Sequence, residues 1–383
     1  MPTMDIKNYR NIFPVLKESA YLNHAAVSPF SLKVIKAINE FIAKRSQDNV
    51  DEYPLVMETK TELKKNISKL INGNSENIAI IGNTSEGFNW LVNSLPWKTG
   101  DRILLTDYEF PSNVYPFLNL KRLGVEVDFV ENKSGKILVE DIESKITPRT
   151  RIISISFVEF LNGFRNNLKD IGELCKQNNI IFSVDSIQGV GALPFDVKDF
   201  NIDFVSNGGH KWLMGPQGCG FMYIAPKLHE KLVPAFAGWL SVKDSWNFLD
   251  YNLDLLDDAE RYEIGTSNAL GIIGLKASTD LLIEVGTAHT EKHLFALGDY
   301  LIDSLKEIDL IYNGSYELKE RSGIYSFNYK DAEKLKELHA YLAQNNIYVS
   351  YRNGALRVSP HFYNDTDDIE KLIAACKTYL KKN

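Results

Sequence analysis

Between residues 77 and 224 the chain alternates short apolar runs with stretches at helical spacing, and this alternation is its strongest constraint on the fold. The runs are Asn77–Ile81, Arg102–Thr106, Glu126–Val130, Arg151–Phe157, Ile180–Val184, Ile202–Val205 and Gly220–Ile224. Between them, Phe88–Leu95, Asn113–Leu123, Val139–Lys145 and Leu168–Asn178 read as helices. Strands separated by helices of about ten residues predict an α/β fold with a mainly parallel central sheet covered on both faces. In such sheets the ligand-binding groups gather at the carboxyl ends of the strands.

Outside this span the rhythm changes. Met4–Ile12 reads as a short amphipathic helix, and Ser31–Arg45 and Glu58–Ile71 as two longer ones. Ala237–Glu263 is rich in aromatics and Asp with no clean period, as expected of a long functional loop or a subunit contact. Helices are expected at Leu270–Val285 and Thr287–Ile308. The tail then alternates strand Ile324–Tyr329, helix Asp331–Asn345, strands Ile347–Tyr351 and Ala355–Ser359, and helix Thr366–Lys381. That tail predicts a small C-terminal α+β domain. The division expected is a large domain over 17–268 and a small domain made of 1–16 and 269–383.

Composition removes several classes of function. A net charge of −7 without a Lys/Arg-dense tract gives no electrostatic footprint for nucleic acid. No run approaches the roughly 18 apolar residues of a membrane span, and the N-terminus lacks the apolar core of a secretory signal. The three cysteines, Cys175, Cys219 and Cys376, are far apart and lack metal-ligand spacing, so no metal is expected and a reducing, cytoplasmic setting is.

Two strand ends carry the chemistry. The run Ile180–Val184 delivers Asp185, and the run Ile202–Val205 leads to His210-Lys211, with Gln188 just past the acid. An acid and an amine so placed suit a pyridinium aldehyde: the amine forms an imine and the carboxylate keeps the ring nitrogen protonated. A second signal is Gly82-Asn83-Thr84-Ser85-Glu86-Gly87, between a strand and a helix. It reads either as an anion site at a helix N-terminus or as an ordinary N-cap by Thr84 or Ser85.

Five motifs in order, Tyr21-Leu22-Asn23-His24-Ala25-Ala26, Asn83-Thr84-Ser85-Glu86, Asp185-Ser186-Ile187-Gln188, Gly209-His210-Lys211-Trp212 and Gly265-Thr266-Ser267-Asn268, give the chain its likeness. It resembles the fold-type I pyridoxal-phosphate enzymes of the class V aminotransferase branch, which includes cysteine desulfurases, isopenicillin N epimerase-like proteins and kynureninases. The resemblance spans nearly all of residues 20–380. It implies pyridoxal 5′-phosphate held as a Schiff base on Lys211, with Asp185 on the pyridine nitrogen and Gln188 on the phenolic oxygen. It further implies Thr84, Ser85 and His210 on the phosphate, Phe110 over the ring, and Arg357 on the substrate carboxylate with Asn23 and His24 beside the substrate. Thr266 matches a position that reaches the phosphate of a neighbouring subunit, which implies a homodimer with shared sites. Many relatives carry Ser where this chain has Gly208, which removes one hydroxyl donor.

The reaction expected is transamination of a small α-amino acid. A desulfurase needs a nucleophilic cysteine on a loop ahead of the substrate arginine, and the connection Arg352-Asn353-Gly354-Ala355-Leu356 is short and has none. Phe110 stands where desulfurases carry His and cannot transfer a proton. The alternatives are a C–S lyase that eliminates without a cysteine relay, a kynureninase-like hydrolase, or a non-catalytic homologue that binds a partner. The segments His24–Ser28, Phe110–Asn113 and Ala237–Trp246 are the expected substrate-facing ones.

Overall fold

The computed structural model describes residues 9–47 and 50–382. The helix expected over Met4–Ile12 lies largely outside them. The strands in chain order are β1 (Ala20–Tyr21), β2 (Ile78–Ile81), β3 (Arg102–Thr106), β4 (Glu126–Val130), β5 (Thr150–Ser156), β6 (Ile181–Asp185), β7 (Phe204–Gly208) and β8 (Gly220–Ile224). They are followed by β9 (Ile311–Tyr312), β10 (Tyr325–Asn328), β11 (Ile347–Tyr348), β12 (Ser350–Arg352) and β13 (Ala355–Val358). The longer helices are α1 (Leu32–Gln47), α2 (Tyr53–Ile71), α3 (Thr84–Ser94), α4 (Leu168–Gln177), α5 (Ala269–Val285), α6 (Thr287–Lys306), α7 (Ala332–Gln344) and α8 (Thr366–Lys382).

A seven-stranded sheet in the order β2-β8-β7-β6-β5-β3-β4 forms the centre of the molecule. Its pairings are parallel except those of β8, which runs antiparallel to β2 and β7. The α/β fold with a mainly parallel sheet flanked by helices is therefore as expected. Strands β6, β7 and β8 are buried along their whole length because helices cover both faces. The period-2 alternation sorts their side chains: Leu104, Ile153, Phe182 and Val205 face one core with α2, α4 and α5, while Ile103, Ile152, Ile181 and Phe204 face the other with α3.

The C-terminal part builds an antiparallel sheet, β12-β13-β10-β9, whose apolar face packs with residues of α6, α7 and α8. The expected boundaries shift in two places. Ala20 and Leu22 belong to this smaller core, because β1 pairs in parallel with β11. Conversely Ile272, Leu275 and Leu282 of α5 pack in the large core, so that helix sits with the sheet and not with the tail.

Three local expectations are corrected. Asn113–Leu123 is not one helix: a 3-10 turn at Pro111–Asn113, one α turn at Tyr115–Leu118 and a second 3-10 stretch at Asn119–Leu123 follow one another. Pro111 and Pro116 each restart the chain at the head of a segment, since neither can donate a helical hydrogen bond. The expected strand Ile347–Tyr351 divides at Val349, where the chain leaves β1 and joins β13. The run ending at Val205 continues to Gly208. Its buried Ser206 and Asn207 are tolerated because Ser206 Oγ donates to the Thr84 carbonyl and Asn207 Nδ2 to Ser186 Oγ.

Candidate active site

The carboxyl ends of β3, β5, β6 and β7 converge on one cavity of about 370 Å³. Seven of the expected residues line it: Thr84, Ser85, Phe110, Gln188, His210, Lys211 and Arg357. Asp185 lies behind the wall at the end of β6, 2% exposed. Its carboxylate accepts the Ile187 N–H at 3.0 Å and the Ser112 hydroxyl at 3.3 Å.

Burial sets the electrostatics of the pair. It pushes the Asp185 carboxyl up to about 6, against the pull of the Ile187 amide, Lys211 and Ser112. It pushes the Lys211 amine down to about 8, opposed by Asp185 and assisted by Arg357 and Arg352. An amine with a lowered proton affinity has a larger neutral, nucleophilic fraction near neutral pH. Its Nζ lies 5.5 Å from the centroid of the Phe110 ring, and that ring meets Phe160 edge-on at 5.2 Å. His210 is kept neutral by burial and by Lys211 beside it.

The head of α3 fits a phosphate. The cap is neither Thr84 nor Ser85 but Asn83, whose Oδ1 accepts the Glu86 N–H at 3.0 Å, while Glu86 Oε2 accepts the Gly82 N–H at 2.8 Å. The side-chain cap is thus made without the two hydroxyl residues. Thr84 Oγ1 is left buried with no hydrogen-bond partner at the cavity wall, an orphan that a phosphate oxygen would satisfy. The first-turn amides of an eleven-residue helix add donors and a positive dipole end. At Gly208 a Cβ would come within 3.0 Å of Ile187 Cδ1 and 3.2 Å of His210 Cε1, so the serine of relatives would crowd both. An aldehyde-reactive amine and an anion cup in one cavity, with a buried carboxylate behind its wall, fit pyridoxal phosphate.

Several expectations need adjustment. Asn23 and His24 do not line the cavity; Ala25 and Ala26 do. Asn23 Oδ1 accepts the Ser350 hydroxyl at 2.6 Å. His24 is fully buried, bonded to the Tyr363 hydroxyl and packed against Trp212 and His361. Burial, with His361 next to it, drives its imidazole well down, so it is a neutral core histidine. Gln188 reaches the cavity, yet Nε2 already donates to the Ala25 carbonyl and Oε1 accepts from Trp212 Nε1. One amide hydrogen is left for a ligand. Thr266 is exposed and lines no part of this chain's cavity, and neither does any residue of Ala237–Trp246.

Other residues were not singled out in the sequence. Arg352 lines the cavity together with Arg357, as does Phe160, while Ser112 lies in the expected segment Phe110–Asn113. Arg357 is 1% exposed; its Nη1 donates to the Phe160 carbonyl at 2.6 Å and its Nε has no partner. Glu109, buried at the end of the loop after β3, accepts from the Ser156 amide and hydroxyl and from Asn113 Nδ2. It ties the Phe110 loop to β5. The two-residue Asn353-Gly354 turn was the available signal for Arg352, because it fixes the hairpin register. None of the three cysteines lines the cavity; all are buried, with thiols pushed up by burial, Cys219 and Cys376 to about 12.

Comparison with known proteins identifies the family and the fold. The family model described as aminotransferase class-V matches residues 20–372. A curated relative from Methanothermobacter thermautotrophicus, named probable cysteine desulfurase, is 28% identical over 96% of each chain. The apo structure of a cysteine desulfurase from Thermococcus onnurineus superposes with a TM-score of 0.91 at 26% identity, covering all of both chains. A cystine C–S lyase bound to its product cysteine persulfide superposes at 0.87 with 22% identity, covering 95% of this chain and 98% of that one.

Proposed function

The chain belongs to the class V aminotransferase family, and on that footing we propose that it transfers the amino group of a small α-amino acid, with Lys211 as the catalytic amine. The cofactor of this family is pyridoxal phosphate. When bound, it supplies an aldehyde for the imine and a protonated ring that takes up electrons from the substrate α-carbon. The observation that carries the reading is the half-buried Lys211 lining, and the buried Asp185 lying behind the wall of, a cavity that no cysteine lines.

In this reading Lys211 would hold the cofactor through its amine, and the same amine, whose proton affinity burial has lowered, would serve as the base that takes up and gives back the substrate α-proton. Asp185 would face the ring nitrogen, Thr84, Ser85 and His210 would hold the phosphate, and Gln188 would offer its remaining amide hydrogen to the ring oxygen. Phe110 would cover the ring, and Arg357 would grip the α-carboxylate through the part of its fork that is not committed to Phe160. Thr266, exposed and away from the Lys211 cavity of its own chain, is assigned to the phosphate of a second copy, in a homodimer of the cytoplasm.

A β-eliminating C–S lyase is the second reading, supported by the desulfurase name of the relatives and by the fold shared with a cystine lyase. A persulfide relay has no support, because no thiol lines the cavity. The half-reaction separates the two. With an amino acid alone, transamination bleaches the visible Schiff-base band to the pyridoxamine form and a 2-oxo acid restores it. Release of pyruvate and ammonia, with sulfide from cysteine or cysteine persulfide from cystine, without bleaching, would replace transamination by elimination.

A further inference from the structure

We propose that Arg352 forms a second anion subsite and that the substrate is an α-amino acid with an acidic side chain. The inference deepens the reading above and rests on it. It starts from the hairpin β12–β13. Asn353 and Gly354 both have positive φ, 46° and 82°, the backbone of a two-residue type I′ turn, for which Asn-Gly is the favoured sequence. The turn locks the register: Arg352 pairs with Ala355, Tyr351 with Leu356, and Ser350 with Arg357.

In an antiparallel pair, directly opposed residues share a face, and so do residues two apart on one strand. Arg352 and Ser350 are two apart, and Ser350 opposes Arg357, so both arginines project from the same face. They are diagonal neighbours, about 7–8 Å apart at such positions. A slip of one residue would turn Arg352 away. Both side chains reach the wall of the same cavity.

The charges there do not balance. The exposed Arg352 side chain makes no hydrogen bond or ion pair among the described residues, and Arg357 is bonded only to a neutral carbonyl and keeps a bare Nε. The positive groups press on one another: both arginines push the Lys211 amine down, and Arg352 pushes Arg357 down as well. Asp185 lies behind the wall at the end of β6, bonded to the Ile187 amide and the Ser112 hydroxyl, and the phosphate cup lies at α3. Once the α-carboxylate occupies Arg357, one guanidinium remains uncompensated. A side-chain carboxylate meets it, with the geometry of a planar fork suited to a carboxylate. The same cavity is walled by Phe110 and Phe160, whose rings offer no charge to balance either arginine.

The test uses isosteric pairs that differ by one charge, glutarate against glutaramate and succinate against succinamate. Binding to the holoenzyme is measured by calorimetry and by the change in the visible Schiff-base band. The expected result is that at least one dicarboxylate binds tenfold or more tightly than its monoamide, and that Arg352→Gln reduces this ratio to below threefold, with Arg352→Lys between. A ratio near one in the wild type, or a ratio unchanged in Arg352→Gln, overturns the inference. Both results leave the Schiff-base band intact, whereas loss of that band in the wild type would count against the Lys211 reading itself.

Discussion

At the scale of single residues the account rests on how burial treats opposite charges. Asp185 and Lys211 attract each other, and attraction alone would lower the acid and raise the amine. Burial outweighs it on both sides, leaving the carboxyl near 6 and the amine near 8. The amine attacks an aldehyde only when neutral, so a lowered pKa moves its reactive range toward neutral pH. The rate at which pyridoxal phosphate forms the imine with the apoprotein is therefore expected to rise through a midpoint near pH 8. A midpoint at about 10.4, the ordinary lysine value, would contradict the burial argument. Which residues carry the chemistry was legible at this scale, because Asp185 and Lys211 sit where strands end. Which way a side chain points was not. His24 and Asn23 stand in a motif at the right place in the chain, but the turn after β1 points one into an aromatic core with Trp212 and His361 and the other at Ser350.

At the scale of elements, α3 and the β12–β13 hairpin do the positioning. The Asn83 cap releases Thr84 from capping duty, so its unpartnered hydroxyl is free to serve the phosphate. Thr84→Val keeps the shape and removes the donor. It is expected to weaken cofactor binding about tenfold, the worth of one hydrogen bond to a charged group, while thermal stability changes little. Equilibrium dialysis and a melting curve of the apoprotein check this; unchanged affinity would remove Thr84 from the phosphate site. The helix itself was legible from the strand–loop–helix pattern, but not its cap, since Asn83, Thr84 and Ser85 are all good capping residues. The broken helix after Phe110 was legible only in hindsight from Pro111 and Pro116. Arg352 escaped notice because a five-residue connection was read by its length and its lack of cysteine, when the Asn-Gly turn within it also sets which residues share a face.

At the scale of the molecule, the site lies where the large sheet's strand ends meet the smaller C-terminal sheet. Lys211 comes from the first and Arg357 from the second. The cluster of His24, Trp212, His361 and Tyr363 joins the two parts: His361 Nδ1 accepts the Phe362 N–H, which leaves Nε2 to donate to the Trp212 carbonyl. The fold class was legible from periodicity because strands buried on both faces give continuous apolar runs. The domain limits were not, because α5 is apolar nearly all round and its packing partner cannot be read from its own pattern. The central claim is that one lysine of this fold, Lys211, carries the cofactor. Borohydride reduction of the pyridoxal-phosphate-loaded protein, followed by peptide mass spectrometry, tests it directly. The account predicts a single phosphopyridoxyl group on the peptide containing Lys211; a label on another lysine, or none, would contradict it.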